Sequence, residues 1–421
     1  MVAVIVAGGK GTRLGLTNIP KPMITIDDVP LLEHQINVLK RYGIKDFYIL
    51  TGYLSDCIIN HFGDGGNFGV NIFYRTEQIP LGTAGCLKQL ERYIKNRFLL
   101  VYGDIMFDMD IGKLISIDIP DSIATVVVHP NDHPYDSDLV EIDETGKITH
   151  FHLKPHDQNI YYDNLVNSGI YILSPEIFNY IKPNESQDLI KDILSKLINI
   201  RSYLSAEYIK DIGTPERLQQ VRKDYKYGKI GKLNSKNKRF AIFIDRDGVI
   251  NKSKGDLSNI NDFELLPNVG KAIKKINESG YLAIVATNQP CMAKGFLTIN
   301  GLTKIHNKMK WLLGQEKAFV DAIYYCPHHP DGGFKGEIPE LKINCSCRKP
   351  KPGMLYDAQI DFNIDLENSW MIGDNYNDIL AGETAGCKTC LVGNNLKEYY
   401  WFDICAENLD KAVNRILYDN K

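Results

Sequence analysis

The stretch Val2-Ala3-Val4-Ile5-Val6-Ala7-Gly8-Gly9-Lys10-Gly11-Thr12-Arg13-Leu14 decides the reading of this chain. Six apolar residues run straight into a glycine loop, with no basic region before them. A run this short, closed by glycines, is a buried strand feeding a phosphate-binding turn rather than a signal peptide. The same grammar recurs along the first half, where FYILTGY, FLLVYGDI, ATVVVH and GIYILS alternate with amphipathic helical stretches up to about residue 222. That alternation predicts a mainly parallel sheet covered by helices. From 223 to 238 the sequence becomes KDYKYGKIGKLNSKNK, rich in lysine, glycine and asparagine, and is expected to be an exposed linker. A second strand series follows in FAIFID, YLAIVATN, AIYYC, SWMIGD and TCLVG. The expectation is an α/β protein of two doubly wound, mainly parallel-sheet domains, 1–222 and 239–421.

Composition is consistent with this. At 421 residues, 44% hydrophobic and 24% charged, the chain is long enough for two cores, and no apolar run approaches the roughly 18 residues that span a bilayer. No membrane partner is expected, and the expected compartment is the cytoplasm. Lysine plus arginine number 49 against 52 acidic residues, a net charge of −3, so no broad basic field invites nucleic acid. Phosphate binding must be local. Nine cysteines, an odd number, argue against a disulfide framework and leave metal ligation or core packing.

In the first domain, Gly8, Gly9, Gly11 and Thr12 let backbone N–H groups approach a phosphate chain, while Arg13 and Lys21 of PKPM offset charge developing during transfer. The loop is neither a Walker motif nor a dinucleotide fingerprint. The combination GGKGTRL, PKPM, Glu77-Gln78-Ile79-Pro80-Leu81-Gly82-Thr83-Ala84-Gly85 and Gly103-Asp104 resembles the sugar-1-phosphate nucleotidyltransferases. That resemblance implies that Gly8, Gly11, Arg13, Lys21 and Gly82 bind nucleotide and that Asp104 and Asp211 of DIGTPE hold Mg²⁺. It assigns Lys154 of HFHLKP and Asn167 of NSGIY to the sugar phosphate. Leu153 stands where many relatives have glutamate. The implied reaction is in-line attack of a sugar-1-phosphate oxygen on the α-phosphorus, with release of pyrophosphate, which needs positioning and charge rather than a protein nucleophile.

In the second domain, Asp245-Arg246-Asp247-Gly248 places two carboxylates two residues apart after an apolar strand, one able to attack phosphorus and the other to manage a proton. Thr287 and Asn288 of ATNQ, then Arg348-Lys349-Pro350-Lys351, then Gly373-Asp374 with Asp378, follow in order. A carboxylate nucleophile facing a phosphate needs a cation and a lysine. The ordered set resembles the haloacid dehalogenase phosphatases. By that resemblance Asp245 is the nucleophile, Asp247 the acid and base, Thr287 a phosphate-binding hydroxyl and Lys349 the charge balance, with Lys351 a rival. Asn288 and Arg348 fall on the sugar-phosphate side. Mg²⁺ is held by Asp245, the Asp247 carbonyl and Asp374.

Cys326-Pro327-His328-His329 and Cys345-Ser346-Cys347 supply three thiols and an imidazole, a tetrahedral set for a structural Zn²⁺. His329 competes with His328 as ligand. Cys387 and Cys390, spaced as CxxC, are expected to be a buried strand start rather than a redox pair. The zinc-loop branch resembled includes heptose bisphosphate phosphatases and histidinol-phosphatases. The first half is similar to the guanylyltransferases acting on heptose 1-phosphate or mannose 1-phosphate. The expected ligands are GTP and heptose phosphates, with mannose 1-phosphate plus a histidinol-phosphatase-like activity, or a nucleotide-sugar sensor without turnover, as the other readings. The sequence does not give an oligomeric state.

Overall fold

A computed structural model describes residues 1–9, 11, 14–15, 18–393 and 401–419. The chain forms two compact units. The first comprises Met1–His129, Asp138–Leu153 and Val166–Asn234, and the second Pro130–Ser137, Lys154–Leu165 and Ser235–Lys421.

The first unit is built on a nine-stranded sheet. Its strands are β1 (Ala3–Ala7), β2 (Asp46–Thr51), β3 (Asn71–Thr76), β4 (Phe98–Tyr102), β6 (Ala124–His129), β7 (Leu139–Ile142), β8 (Ile148–His152), β9 (Val166–Leu173) and β10 (Ile200–Leu204). The order is β8-β7-β9-β4-β1-β2-β3, with β6 beside β9 and β10 beside β6. The β4-β1-β2-β3 half is parallel, whereas β9 runs antiparallel to β4, β6 and β7. The parallel half reads in sequence as unbroken apolar runs because both its faces are covered. In β1, Ala3, Ile5 and Ala7 enter one core and Val4 the other; in β4, Leu99 and Val101 oppose Phe98 and Leu100. A separate ladder pairs β5 (Ile105–Asp108) with β11 (Tyr208–Asp211).

The segment 223–238, expected to be a linker, is partly built into the first unit. Helix α2 (Pro215–Lys226), which follows α1 (Leu31–Arg41), is joined by a short helix at Lys229–Lys232. Val221 and Ile230 are buried together with Tyr208, and Asp224 accepts a 2.9 Å hydrogen bond from the Tyr208 hydroxyl. Few apolar residues do the anchoring, which is why the composition alone resembled an exposed connection.

The second unit has a fully parallel six-stranded sheet, ordered β14-β13-β12-β15-β16-β17. Its strands are β12 (Ala241–Ile244), β13 (Leu282–Asn288), β14 (Ala322–Cys326), β15 (Trp370–Gly373), β16 (Lys388–Val392) and β17 (Ile404–Ala406). The main helices are α3 (Val269–Ser279), α4 (Ile299–Gln315), α5 (Gly353–Phe362) and α6 (Tyr376–Ala385). The segments Pro130–Ser137 and Lys154–Leu165, which the sequence places in the first half, pack on α4 within this unit. Trp311, 2% exposed, meets Tyr135 edge-on at 4.1 Å and also faces His156 and Tyr162. The Tyr135 hydroxyl donates to the Trp311 carbonyl at 2.8 Å, and Lys310 pairs with Asp163 at 2.6 Å. Among the described residues no helix is long and apolar enough to cross a membrane.

Truncating a buried tryptophan leaves a cavity that its aromatic neighbours cannot fill. Trp311→Ala is expected to destabilise the second unit by about 3 kcal/mol, as read by urea unfolding; a loss below about 1 kcal/mol would contradict this packing.

Candidate active sites

In parallel α/β sheets, loops at the carboxyl ends of the strands gather functional groups. Both units follow this rule. In the second, Asp245 directly follows β12, Thr287 and Asn288 end β13, Asp374 follows β15, and Asp378 lies in the first turn of α6. The carboxylates of Asp245, Asp374 and Asp378 each have an oxygen within 4.8 Å of the others. Lys349 Nζ stands 2.8 Å from Asp245 and 2.5 Å from Asp378, and donates to the Ala286 carbonyl at 2.7 Å. Burial works against its charge, but the two carboxylates outweigh that and raise Lys349 to about 12. Burial, then the neighbouring Asp245, pushes Asp378 up to about 7 and Asp374 above the ordinary range. Lys351 is elsewhere, donating to Asn344 and the Cys345 carbonyl at 2.6 and 2.9 Å.

Two glycines make room for this cluster. Gly248 has φ +92°, and a Cβ there would fall 1.9 Å from Asp374 Oδ2; a Cβ at Gly373 would fall 2.1 Å from that of Asp378. The side chain of Asp247 turns toward three donors. Arg246, fully buried, reaches it at 2.8 Å, and Gln289 and Asn251 each donate at 2.9 Å. Gln289 also donates to Thr287 Oγ1 at 2.9 Å, tying the Asp247 carboxylate to the Thr287 hydroxyl. Asn288 and Lys349 exchange two 3.0 Å hydrogen bonds, fixing the lysine's backbone against the end of β13. The sequence motifs give Arg246, Gln289, Asn251 and Asp378 no role. The signal for Arg246 was present, since an arginine between two aspartates at a buried strand end needs partners.

Immediately before Lys349, the chain carries a sulfur-rich cluster. Cys326, His328, Cys345 and Cys347 bring one ligand atom each within 4.8 Å of the rest. Neighbouring separations run from 3.2 Å (Cys345 to Cys347) to 3.6 Å (Cys326 to His328 Nδ1). These are edges suited to a tetrahedron around one ion bound at about 2.0–2.3 Å. His329 points elsewhere, its Nδ1 accepting from the Asp331 amide. Arg348 donates to the His328 carbonyl at 3.2 Å. Cys387 and Cys390 are buried, and burial pushes both thiols up to about 12. They lack the thiolate character that redox exchange requires.

In the first unit, Gly8 and Gly9 follow β1, and Lys21 Nζ pairs with Asp104 Oδ2 at 2.8 Å just beyond β4. The ladder of β5 and β11 sets Asp211 opposite Ile105, and the Ile212 amide donates to the Asp104 carbonyl at 2.9 Å. The two acids therefore come from adjacent strand ends. Arg217 Nη1 sits 3.0 Å from Asp211. Gly82 has φ +73°, and a Cβ there would meet the Gln187 carbonyl at 2.5 Å. Glu77 accepts from the Leu81 amide at 2.6 Å, closing the turn that carries Gly82, and burial holds its carboxyl above the usual range. Asn167 lies on β9 in this unit, whereas Lys154 belongs to the second unit, where it donates to the Asp136 carbonyl at 2.8 Å. Thr12 and Arg13 lie outside the described residues.

The nucleotidyl transferase family model matches residues 2–227, and an HAD-hydrolase-like model matches 346–399. The D-glycero-β-D-manno-heptose-1,7-bisphosphate 7-phosphatase of Haemophilus ducreyi is 43% identical over 150 residues, 35% of this chain and 80% of that protein. The D-glycero-α-D-manno-heptose-1,7-bisphosphate 7-phosphatase of Burkholderia mallei is 39% identical over 155 residues, 37% of this chain and 80% of that protein. Among solved structures, HddC from Yersinia pseudotuberculosis is 28% identical, with 53% of this chain and 99% of that chain covered at a TM-score of 0.47. The chain thus belongs to the nucleotidyl transferase family over its first half and to the heptose-bisphosphate 7-phosphatases of the HAD-like hydrolases over its second. It is an enzyme with a transferase part and a phosphatase part.

The Gly248 geometry gives a direct check on the second site. Gly248→Ala combines left-handed backbone strain of about 1–3 kcal/mol with a collision against Asp374. Phosphate release should fall at least about tenfold while circular dichroism stays unchanged; an active variant would mean that Asp374 is not fixed where it lies.

Proposed function

We propose that the chain makes a GDP-sugar in two steps. The second unit removes the 7-phosphate of D-glycero-D-manno-heptose 1,7-bisphosphate. The first then transfers GMP from GTP to the resulting heptose 1-phosphate and releases pyrophosphate. The observation that carries this reading is the pairing of the two families in one chain. A 7-phosphatase acting on the bisphosphate leaves a sugar 1-phosphate, and a sugar-1-phosphate nucleotidyltransferase consumes one.

In the phosphatase step Asp245 attacks phosphorus and forms an aspartyl-phosphate while the bond to the sugar oxygen breaks. Asp247 gives that oxygen its proton and then takes one from the water that hydrolyses the intermediate. Lys349 offsets charge beside the nucleophile, and Thr287 holds a phosphate oxygen. Three carboxylates against one ammonium leave a formal −2 on the cluster, a charge that suits one divalent ion with oxygen ligands. Mg²⁺ held by Asp245, Asp374 and the Asp247 carbonyl, with Asp378 behind them, would neutralise the phosphate as it is attacked.

In the transferase step the loop of Gly8, Gly9, Gly11 and Thr12 with Gly82 cradles GTP. Arg13 and Lys21 stabilise the charge passing to pyrophosphate, and Asn167 orients the sugar phosphate. Asp104 and Asp211 are oxygen donors on neighbouring strand ends that suit a second Mg²⁺. Base choice rests on polar groups around Pro80 to Gly85, which adenine would leave unpaired. The α-anomer is the expected substrate, from the resemblance of the first half to guanylyltransferases of the α-heptose. The enzyme works on these small molecules in the cytoplasm.

Cys326, His328, Cys345 and Cys347 hold a structural Zn²⁺ in this reading. Its part is to anchor the chain that presents Arg348 and Lys349.

Asp245→Asn is expected to abolish phosphate release but leave pyrophosphate release from heptose 1-phosphate within about twofold, and Asp104→Asn to do the reverse. Loss of both activities in either folded variant would contradict two separate centres. Metal analysis is expected to find about one zinc per chain. Cys345→Ser should lose it, with a lower Tm and weaker phosphate release; a zinc-free wild type of full stability would remove the assignment. For the nucleotide, kcat/KM with GTP is expected to exceed that with ATP by at least about tenfold on the α-anomer, and a preference for ATP with the β-anomer would reverse the proposed product.

A further inference from the structure

The side chain of Asn167 makes a hydrogen bond inside the first unit that the transferase reading does not use. Its Nδ2 donates to the Tyr171 hydroxyl at 2.6 Å, although both residues lie on β9, four positions apart. In a flat strand residues so spaced are about 13 Å apart. Here the pairing of β9 with β6 shifts register between them. Gly169 takes φ +79°, and a Cβ there would lie 2.4 Å from Ile105 Cδ1 and 2.9 Å from Tyr102 Cδ2. The bulge exists at a glycine because nothing larger fits.

Tyr171 is wholly buried, its ring centre 5.6 Å from that of Tyr102. Burial raises its phenol well above the ordinary value, so the hydroxyl keeps its proton.

Asparagine amides turn over at little cost unless their partners distinguish oxygen from nitrogen. This chain makes that distinction: Oδ1 accepts from the Gly169 amide at 3.3 Å, and one hydrogen of Nδ2 is committed to Tyr171. The second hydrogen is the one left for a ligand oxygen. We propose that Tyr171 is a positioning residue that locks the Asn167 amide with an N–H toward the sugar phosphate. The proposal rests on the reading of Asn167 as a sugar-phosphate contact.

The test uses the full chain and pyrophosphate release, titrating heptose 1-phosphate at saturating GTP. Tyr171→Phe keeps the ring and removes the hydroxyl. It is expected to raise KM for the sugar phosphate about tenfold, the worth of one hydrogen bond, leaving KM for GTP and phosphate release by the second unit within about twofold. In an Asn167→Ala background the same substitution should add nothing, because Tyr171 acts through Asn167. Should Tyr171→Phe not fold, NMR of the wild-type protein should show one Asn167 amide proton protected from exchange and the other shifted by heptose 1-phosphate, and two freely exchanging protons would overturn the positioning role. A silent Tyr171→Phe beside an impaired Asn167→Ala, or effects that multiply in the double variant, overturns that role alone. An Asn167→Ala with unchanged KM overturns the sugar-phosphate reading and the positioning role with it.

Discussion

The ammonium of Lys349 is held in a place where few charges are tolerated, and the second unit is arranged around keeping it there. It is 3% exposed, yet it sits against Asp245 and Asp378 and against the Ala286 carbonyl at the end of β13. A buried lysine without such partners would lose its proton. Three anchors hold it. Asn288 clamps its backbone, the cysteine-histidine cluster ends at Cys347 two residues earlier, and α5 begins at Gly353 four residues later. A position fixed from both sides in sequence lets one cation serve two carboxylates without wandering.

The same economy governs the first unit in a different form. Gly8 and Asp104 follow parallel strands, whereas Asn167 and Tyr171 lie on the antiparallel β9. Strand β9 is antiparallel to β4, so the bulge at Gly169 brings Asn167 and Tyr171 beside Tyr102 at the end of β4. A strictly parallel sheet would not place those groups together.

Much of this was legible in the sequence because the chemistry sits where periodic apolar runs stop. VAVIVA before Gly8, FLLVY before Asp104 and FAIFI before Asp245 each announce both a strand and the candidate site residue after it. What was not legible depends on contacts between distant positions. Lys349 and Lys351 share one motif, and only the return of the loop onto β13 separates their environments. The pairing of Trp311 with Tyr135, 176 positions away, leaves no local pattern, so Pro130–Ser137 and Lys154–Leu165 read as part of the first half. Residues 223–238 differ for the opposite reason: the end of α2 and the short helix after it, anchored by Val221 and Ile230, need too few apolar residues to show a period.

The central claim is that one chain carries a phosphatase whose product its transferase consumes. The direct measurement is a single reaction of the wild-type protein with heptose 1,7-bisphosphate, GTP and Mg²⁺, following phosphate, pyrophosphate and nucleotide-sugar together. The account predicts that phosphate appears first, that pyrophosphate follows after a lag, and that the two approach equal amounts as a GDP-heptose accumulates. Pyrophosphate formed from the bisphosphate with no release of phosphate, or phosphate release never followed by pyrophosphate, would contradict it.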